Sequence, residues 1–286
     1  MRWIGRRESD NVDDRRGGGG GTGMVVGGGI GTLVIALIVM LLGGDPSQVF
    51  NQSGSDQVAT EAPAGPQADD EAAKFVKVVL ADTEDVWTKL FAGQGEQYPK
   101  PIMVLFRGQT RSGCGMASAA SGPFYCPADQ KLYIDLSFYD ELTERFNAPG
   151  DFAMAYVVAH EVGHHIQHQW GILEKVNNAR GRVSEAEYNK LSVRLELQAD
   201  FLAGVWAHYA QKTLKTVEDG DIEEAMRAAN AIGDDRLQKE TQGYVVPDAF
   251  THGTSAQRVY WFKKGFQTGD LNQGDTFNSR EDRNLQ

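Results

Sequence analysis

The chain has 286 residues, enough for one large domain or two small ones, with 41% hydrophobic and 23% charged residues as in an ordinary globular protein. A formal net charge of −11 excludes the basic footprint that phosphate binding needs, so no nucleic-acid partner is expected. Two cysteines, Cys114 and Cys126, are too few for a disulfide-built scaffold and stand as two thiols or as one bridge, according to compartment.

Residues 1–23 end in a glycine run and predict a flexible tail. Met24 to Leu42 then reads MVVGGGIGTLVIALIVMLL, uncharged and long enough to cross a bilayer core of roughly 30 Å as a helix. Arg2, Arg6, Arg7, Arg15 and Arg16 precede it, and no Lys or Arg follows until Lys74, which predicts a cytoplasmic N-terminus. A cleavable signal would offer a small-residue site after the apolar core, and Leu42-Gly43-Gly44-Asp45-Pro46 has no such pattern. One transmembrane helix over 24–42 is therefore expected, with the lipid bilayer as its partner. Residues 43–69, rich in Gly, Pro, Ser, Gln, Ala and Asp, read as a disordered linker. The folded domain is expected over 70–270, with 271–286 a flexible C-terminal tail.

Within that domain Glu71 to Phe91 shows helical spacing of Phe75, Val79, Val86 and Leu90. Ile102 to Phe106 is a short strand between Pro101 and Gly108, and Lys131 to Phe138 alternates as a half-buried strand. A Gly- and Ser-rich loop holding both cysteines lies between them. Helices follow over Asp151 to Trp170, Ser184 to about Lys212, Asp221 to about Gln238 with a break near Gly233, and Ser255 to Thr268. Ser184 and Glu187 form a capping-box pair. Helices segregated around a small sheet make an α+β, mainly helical domain.

The chemistry centres on His160-Glu161-Val162-Gly163-His164. Residues four apart share a helix face, so two imidazoles reach one metal ion while Glu161 addresses the water beside it. His168 lies about 12 Å along the axis from His160 and cannot share that ion, and His165 points about a quarter-turn away. Gln167 and Trp170 exclude the extended motif with a third histidine. The third ligand is expected from Glu196 on the next long helix, leaving an open position for water. Asp200, four residues on, is placed to orient a ligating imidazole. His252, in the loop Thr251 to Arg258, is a candidate oxyanion stabiliser. Tyr244 is a weaker one, and Arg258 is a partner for a buried carboxylate or an ordinary surface residue.

The chain resembles a bacterial family of membrane-anchored neutral zinc metallopeptidases. The resemblance rests on Met1-Arg2-Trp3, Gly5-Arg6-Arg7, Ser9 to Val12, Arg15-Arg16, Gly113 to Gly115, Gly122 to Pro127, Tyr133 to Leu136, His160 to His165, Glu196 to Asp200 and His252 to Arg258. The family looks like the gluzincins, which implies a zincin-like domain, one Zn2+ per chain on His160, His164 and Glu196, Glu161 as base and Asp200 as orienting carboxylate. It implies a protein or peptide substrate and hydrolysis of peptide bonds at the bacterial inner membrane, with the catalytic domain periplasmic. In that compartment Cys114 and Cys126 are expected to be bridged. The Lys131–Phe138 strand is then expected to border the cleft and pair with an extended substrate. Two rival readings stand beside this one: a non-catalytic envelope binding or adaptor domain with structural zinc, and a zinc hydrolase of a non-protein amide.

Overall fold

The computed structural model describes residues 1–16, 66–118, 121–282 and Leu285. The stretch 24–42, expected to cross the membrane, and most of the linker lie outside these residues. Among the described residues no helix is long and apolar enough to cross a membrane.

The sheet is built from four strands in the order β1-β2-β6-β5. β1 (Val12–Asp14), β2 (Ile102–Phe106) and β6 (Lys131–Asp135) run parallel, and β5 (Phe124–Cys126) closes the far edge antiparallel to β6. A separate hairpin, β3 (Gln109–Ser112) and β4 (Gly115–Ser118), covers one face. Strand residues point alternately to opposite faces. Met103, Leu105, Leu132 and Ile134 accordingly enter the main core with the helices, whereas Val104, Phe106 and Tyr133 pack with Ala117 and Cys126 under the hairpin.

The last strand expected from sequence is shorter and more buried than its alternation suggested. It stops at Asp135, which accepts hydrogen bonds from the backbone N–H groups of Ser137 and Gly108 and turns the chain into helix α2 (Ser137–Glu144). Covered on both faces and flanked by β2 and β5, β6 has no free edge for a substrate. That edge belongs to β5.

Helix α1 (Pro66–Gly93) buries Phe75, Val76, Val79 and Trp87 against the sheet and against α3 (Asp151–Gln169). After the short α4 (Ile172–Ala179), α5 (Glu185–Tyr209) begins at a complete Ser184/Glu187 capping box. It runs into one π-type turn, Ala210–Leu214. α6 (Asp221–Ala231) and α7 (Asp234–Gln242) are separated at Gly233, and α8 (Ser255–Thr268) is capped by Thr254 and Gln257. α5 and α8 pack so closely that a Cβ on Gly204 would lie 2.0 Å from the Phe262 carbonyl oxygen.

Both ends of the chain depart from expectation. Residues 1–16 are folded onto the body and are no flexible tail. β1 pairs in register with β2, Met1 is 8% exposed, and its amino nitrogen lies 3.0 Å from Asp151 and 3.1 Å from Asp221. Likewise 271–282 is packed on α5, with Thr276 and Asp282 fully buried and Arg194 Nη1 2.8 Å from both Asp282 oxygens. Arg6 and Arg7 of the N-terminal stretch and Thr276 and Asp282 of the C-terminal one read as solvated because their partners, Asp82, Glu84 and Arg194, are remote in sequence.

Candidate metal centre

α3 and α5 cross where Gly163 faces Ala199, and that contact sets the site. His160 and His164, one turn apart on α3, meet Glu196 of α5, all three buried with ligand atoms within 4.8 Å of one another. His160 Nε2 lies 3.1 Å from Glu196 Oε2 and His164 Nε2 lies 3.4 Å from Oε1.

The far nitrogens are occupied. His160 Nδ1 donates to Asp200 Oδ1 at 2.9 Å, and His164 Nδ1 donates to Gln167 Oε1 at 2.9 Å. Gln167 is held in turn, its amide donating to the Leu195 carbonyl at 2.7 Å and to Gln198 Oε1 at 3.1 Å. Each imidazole is thereby fixed in the tautomer that turns a lone pair on Nε2 towards Glu196. Two such nitrogens and a carboxylate, with no fourth side chain closing the set among the described residues, fit a zinc ion with an open position.

Asp200 is fully buried and does more than orient His160. Arg258 reaches it with Nε at 2.9 Å and Nη2 at 3.0 Å, and Tyr156 donates its hydroxyl to the same carboxylate. Burial opposes ionisation of Asp200, but Arg258 and His160 outweigh it and lower its pKa. Glu196 is also held well below the usual range despite burial, through His164 and His160. For the bare His160 imidazole burial pulls the pKa down, yet Asp200 and Glu196 raise it to about 10. The cluster therefore calls for positive charge where the Nε2 atoms converge. Glu161 differs: burial is the largest influence and raises its pKa, against the lowering effect of His164 and His160.

His252 lies beside this group, half-buried. Its Nδ1 is 3.2 Å from Asp234 Oδ1, and Asp234 Oδ2 accepts from the backbone N–H groups of Thr251, His252 and Gly253 at 2.7, 2.6 and 3.0 Å. The loop is thus wrapped around one carboxylate. Burial lowers the His252 pKa, but Asp234 more than restores it, so the net shift is upward.

These side chains line a cavity of about 580 Å3 whose other walls include Phe138, Phe146, Leu173, Val176 and Leu237. Gly113, Cys114 and the start of β5 form part of its rim, and Cys114 is bridged to Cys126.

Of the residues singled out from sequence, His160, Glu161, His164, Glu196, Asp200, His252 and Arg258 come together. Tyr244 does not: it is 63% exposed and away from the cavity lining. His165 is buried elsewhere, its Nε2 2.6 Å from the Pro99 carbonyl and its Nδ1 3.2 Å from the Tyr125 hydroxyl. Burial pulls its pKa down to about 4. His168 is half-buried near the Tyr125 ring, away from the metal set. Sequence reasoning missed Tyr156, Gln167 and Asp234. The first two carried a signal, lying four residues before His160 and three after His164 on the same helix; Asp234 carried none.

Two helices crossing at a glycine thus bring His160, His164 and Glu196 together as a candidate metal centre, with the Glu161 carboxylate beside it. The chain belongs to the family described as "Putative neutral zinc metallopeptidase", whose pattern matches residues 1–277. It is 50% identical over 286 residues to the uncharacterized protein YpfJ of Escherichia coli K12, covering 97% of this chain and 99% of that one. It is 41% identical over 261 residues to the uncharacterized protein Rv2575 of Mycobacterium tuberculosis H37Rv, covering 85% and 86%. No solved structure matches it.

Proposed function

We propose that this chain is a gluzincin-like zinc peptidase in which His160, His164 and Glu196 hold one Zn2+ and Glu161 is the general base. The carrying observation is the convergence of three ligand atoms within 4.8 Å while both histidine Nδ1 atoms are committed elsewhere. When bound, zinc would supply Lewis-acid polarisation of the scissile carbonyl and acidify the attacking water. Glu161, kept basic by burial, takes the proton from that water and returns it to the leaving amine. His252, charged and steadied by Asp234, donates to the oxygen on which negative charge develops.

An extended peptide adds to the sheet along β5, the edge strand that lines the cavity through Phe124 and Tyr125. The apolar walls at Phe138, Phe146, Leu173 and Val176 favour a hydrophobic side chain over a sugar-bearing amide. A structural zinc would be closed by a fourth protein ligand and would need no base. The Cys114–Cys126 bridge supports work in an oxidising compartment outside the cytoplasm.

The test is zinc content and peptide-library hydrolysis of the full chain beside Glu161→Gln. We expect one zinc per chain in both, and turnover reduced by roughly 10²–10⁴-fold in the variant. Undiminished turnover in Glu161→Gln would remove the base from the mechanism, and a chain that binds no zinc would remove the centre itself.

A further inference from the structure

The N-terminal arginines that predict a cytoplasmic tail are already engaged with the body of the protein. Arg6 Nη2 is 2.7 Å from Asp82, and Arg7 reaches Glu84 at 3.2 Å and Asp85 at 2.8 Å. Arg15 donates to the Thr110 hydroxyl at 3.1 Å and the Arg111 carbonyl at 3.0 Å, and Arg2 pairs with Glu218 at 3.2 Å. The orientation rule counts such residues as free charge held back by the membrane potential and the translocation machinery. Here each of these four has a partner in the folded domain.

The backbone is engaged as well. Val12, Asp13 and Asp14 pair with Met103, Val104 and Leu105, and hydrogen bonds at either end of β1 run from Met103 N–H to the Asn11 carbonyl and from Arg15 N–H to the Leu105 carbonyl. At the leading end of β1 sits Glu84, 1% exposed, accepting from Ser9 Oγ and from Asn11 Nδ2. The Trp3 ring packs edge-on against Phe75 with centroids 5.5 Å apart. Buried Asp82 has its counter-charge, and buried Glu84 its hydrogen-bond donors and one of two counter-charges (the other is Lys100 at 3.6 Å), on the N-terminal stretch, so the face made by α1 and the β2 edge is a seat built for it.

A chain that crosses a bilayer once between residues 17 and 65 leaves this strand and its seat on opposite faces. We propose that residues 1–16 and the metal-bearing body lie on the same side of the membrane, with residues 2–15 seated on α1 and β2, and that no single crossing separates them. The inference uses neither the metal nor the peptidase reading.

The experiment places one added cysteine at a time in the full chain, Glu8→Cys on the N-terminal stretch and Gln94→Cys after α1, both at exposed positions. Right-side-out membrane vesicles and permeabilised ones are treated with a membrane-impermeant maleimide. The same side predicts equal labelling of the two cysteines under each condition. Labelling of one from outside and of the other only after permeabilisation overturns the proposal. Hydrogen exchange of the detergent-extracted full chain reads the seating directly. The Arg15 amide, bonded to the Leu105 carbonyl, should exchange roughly a hundredfold or more slower than in an unstructured peptide, and free exchange there overturns the seat.

Discussion

At the scale of single residues, the site sets two opposed titrations. Glu161 acts as a base only when ionised, and burial raises its pKa above the usual 4.5, so peptide turnover should fall with decreasing pH earlier than an ordinary glutamate would allow. His252 donates to the developing oxyanion from the nitrogen not committed to Asp234, which carries a proton only in the charged form. Its pKa is raised by Asp234 against burial, so turnover should fall again as pH rises through that raised pKa, on the alkaline side of an ordinary histidine. A bell-shaped kcat/KM profile is expected. His252→Ala should lose the alkaline limb, keep the acid one, and lower kcat by roughly 10²–10³-fold. An unchanged alkaline limb would assign it to another group. The pairing of the two candidate histidine ligands was legible in sequence because helix geometry alone puts His160 above His164. Asp200 could be read from its spacing to Glu196, but Tyr156 and Arg258 complete its shell only through tertiary packing. Asp234 shapes the His252 loop from 18 residues away, and no local pattern announces such a contact.

At the scale of elements, the metal site is a helix crossing before it is a set of ligands. A Cβ on Gly163 would stand 3.1 Å from the Cα and the carbonyl oxygen of Ala199, one turn from Glu196. A branched side chain there forces α5 away from α3 and carries Glu196 with it. Gly163→Val should cost about 1–3 kcal/mol of stability and weaken zinc binding out of proportion to that loss, as read by thermal unfolding with and without metal. Gly163→Ala should show a smaller effect in the same direction. If Gly163→Val bound zinc as tightly as the parent, the crossing would not control the ligand spacing. The long helices and the strands at 102–106 and 131–135 were legible from periodicity. The short α2 and α4 were not, since eight residues give too few turns to establish a period. The edge assignment also escaped sequence. Nothing in Lys131–Asp135 says whether its neighbour is solvent or Phe124–Cys126.

At the scale of the whole molecule, the folded body that carries the candidate metal centre includes residues that lie before the apolar stretch. A chain beginning at residue 66 would lose β1, the Trp3 contact and the donors around Asp82 and Glu84. We expect it to be less stable than the full chain by about 3–5 kcal/mol, in keeping with removing the partners of buried charges, with a lower urea midpoint as the measurement. Equal midpoints would make the N-terminal stretch an ornament of the fold.

The same stretch sets a timetable for synthesis. Arg2 bonds through its backbone N–H to Thr216 and through its side chain to Glu218, a partner 216 residues later in the chain. At ribosomal speeds the interval between making the two is roughly 10–40 s. β1 can find β2 well before then, but its leading end has nothing to lock onto until the later helices emerge. The first residues made are therefore among the last to be secured. A nascent chain carries Met1 and Arg2 on an untethered end for most of its elongation, although Arg6 and Arg7 meet Asp82, Glu84 and Asp85 early.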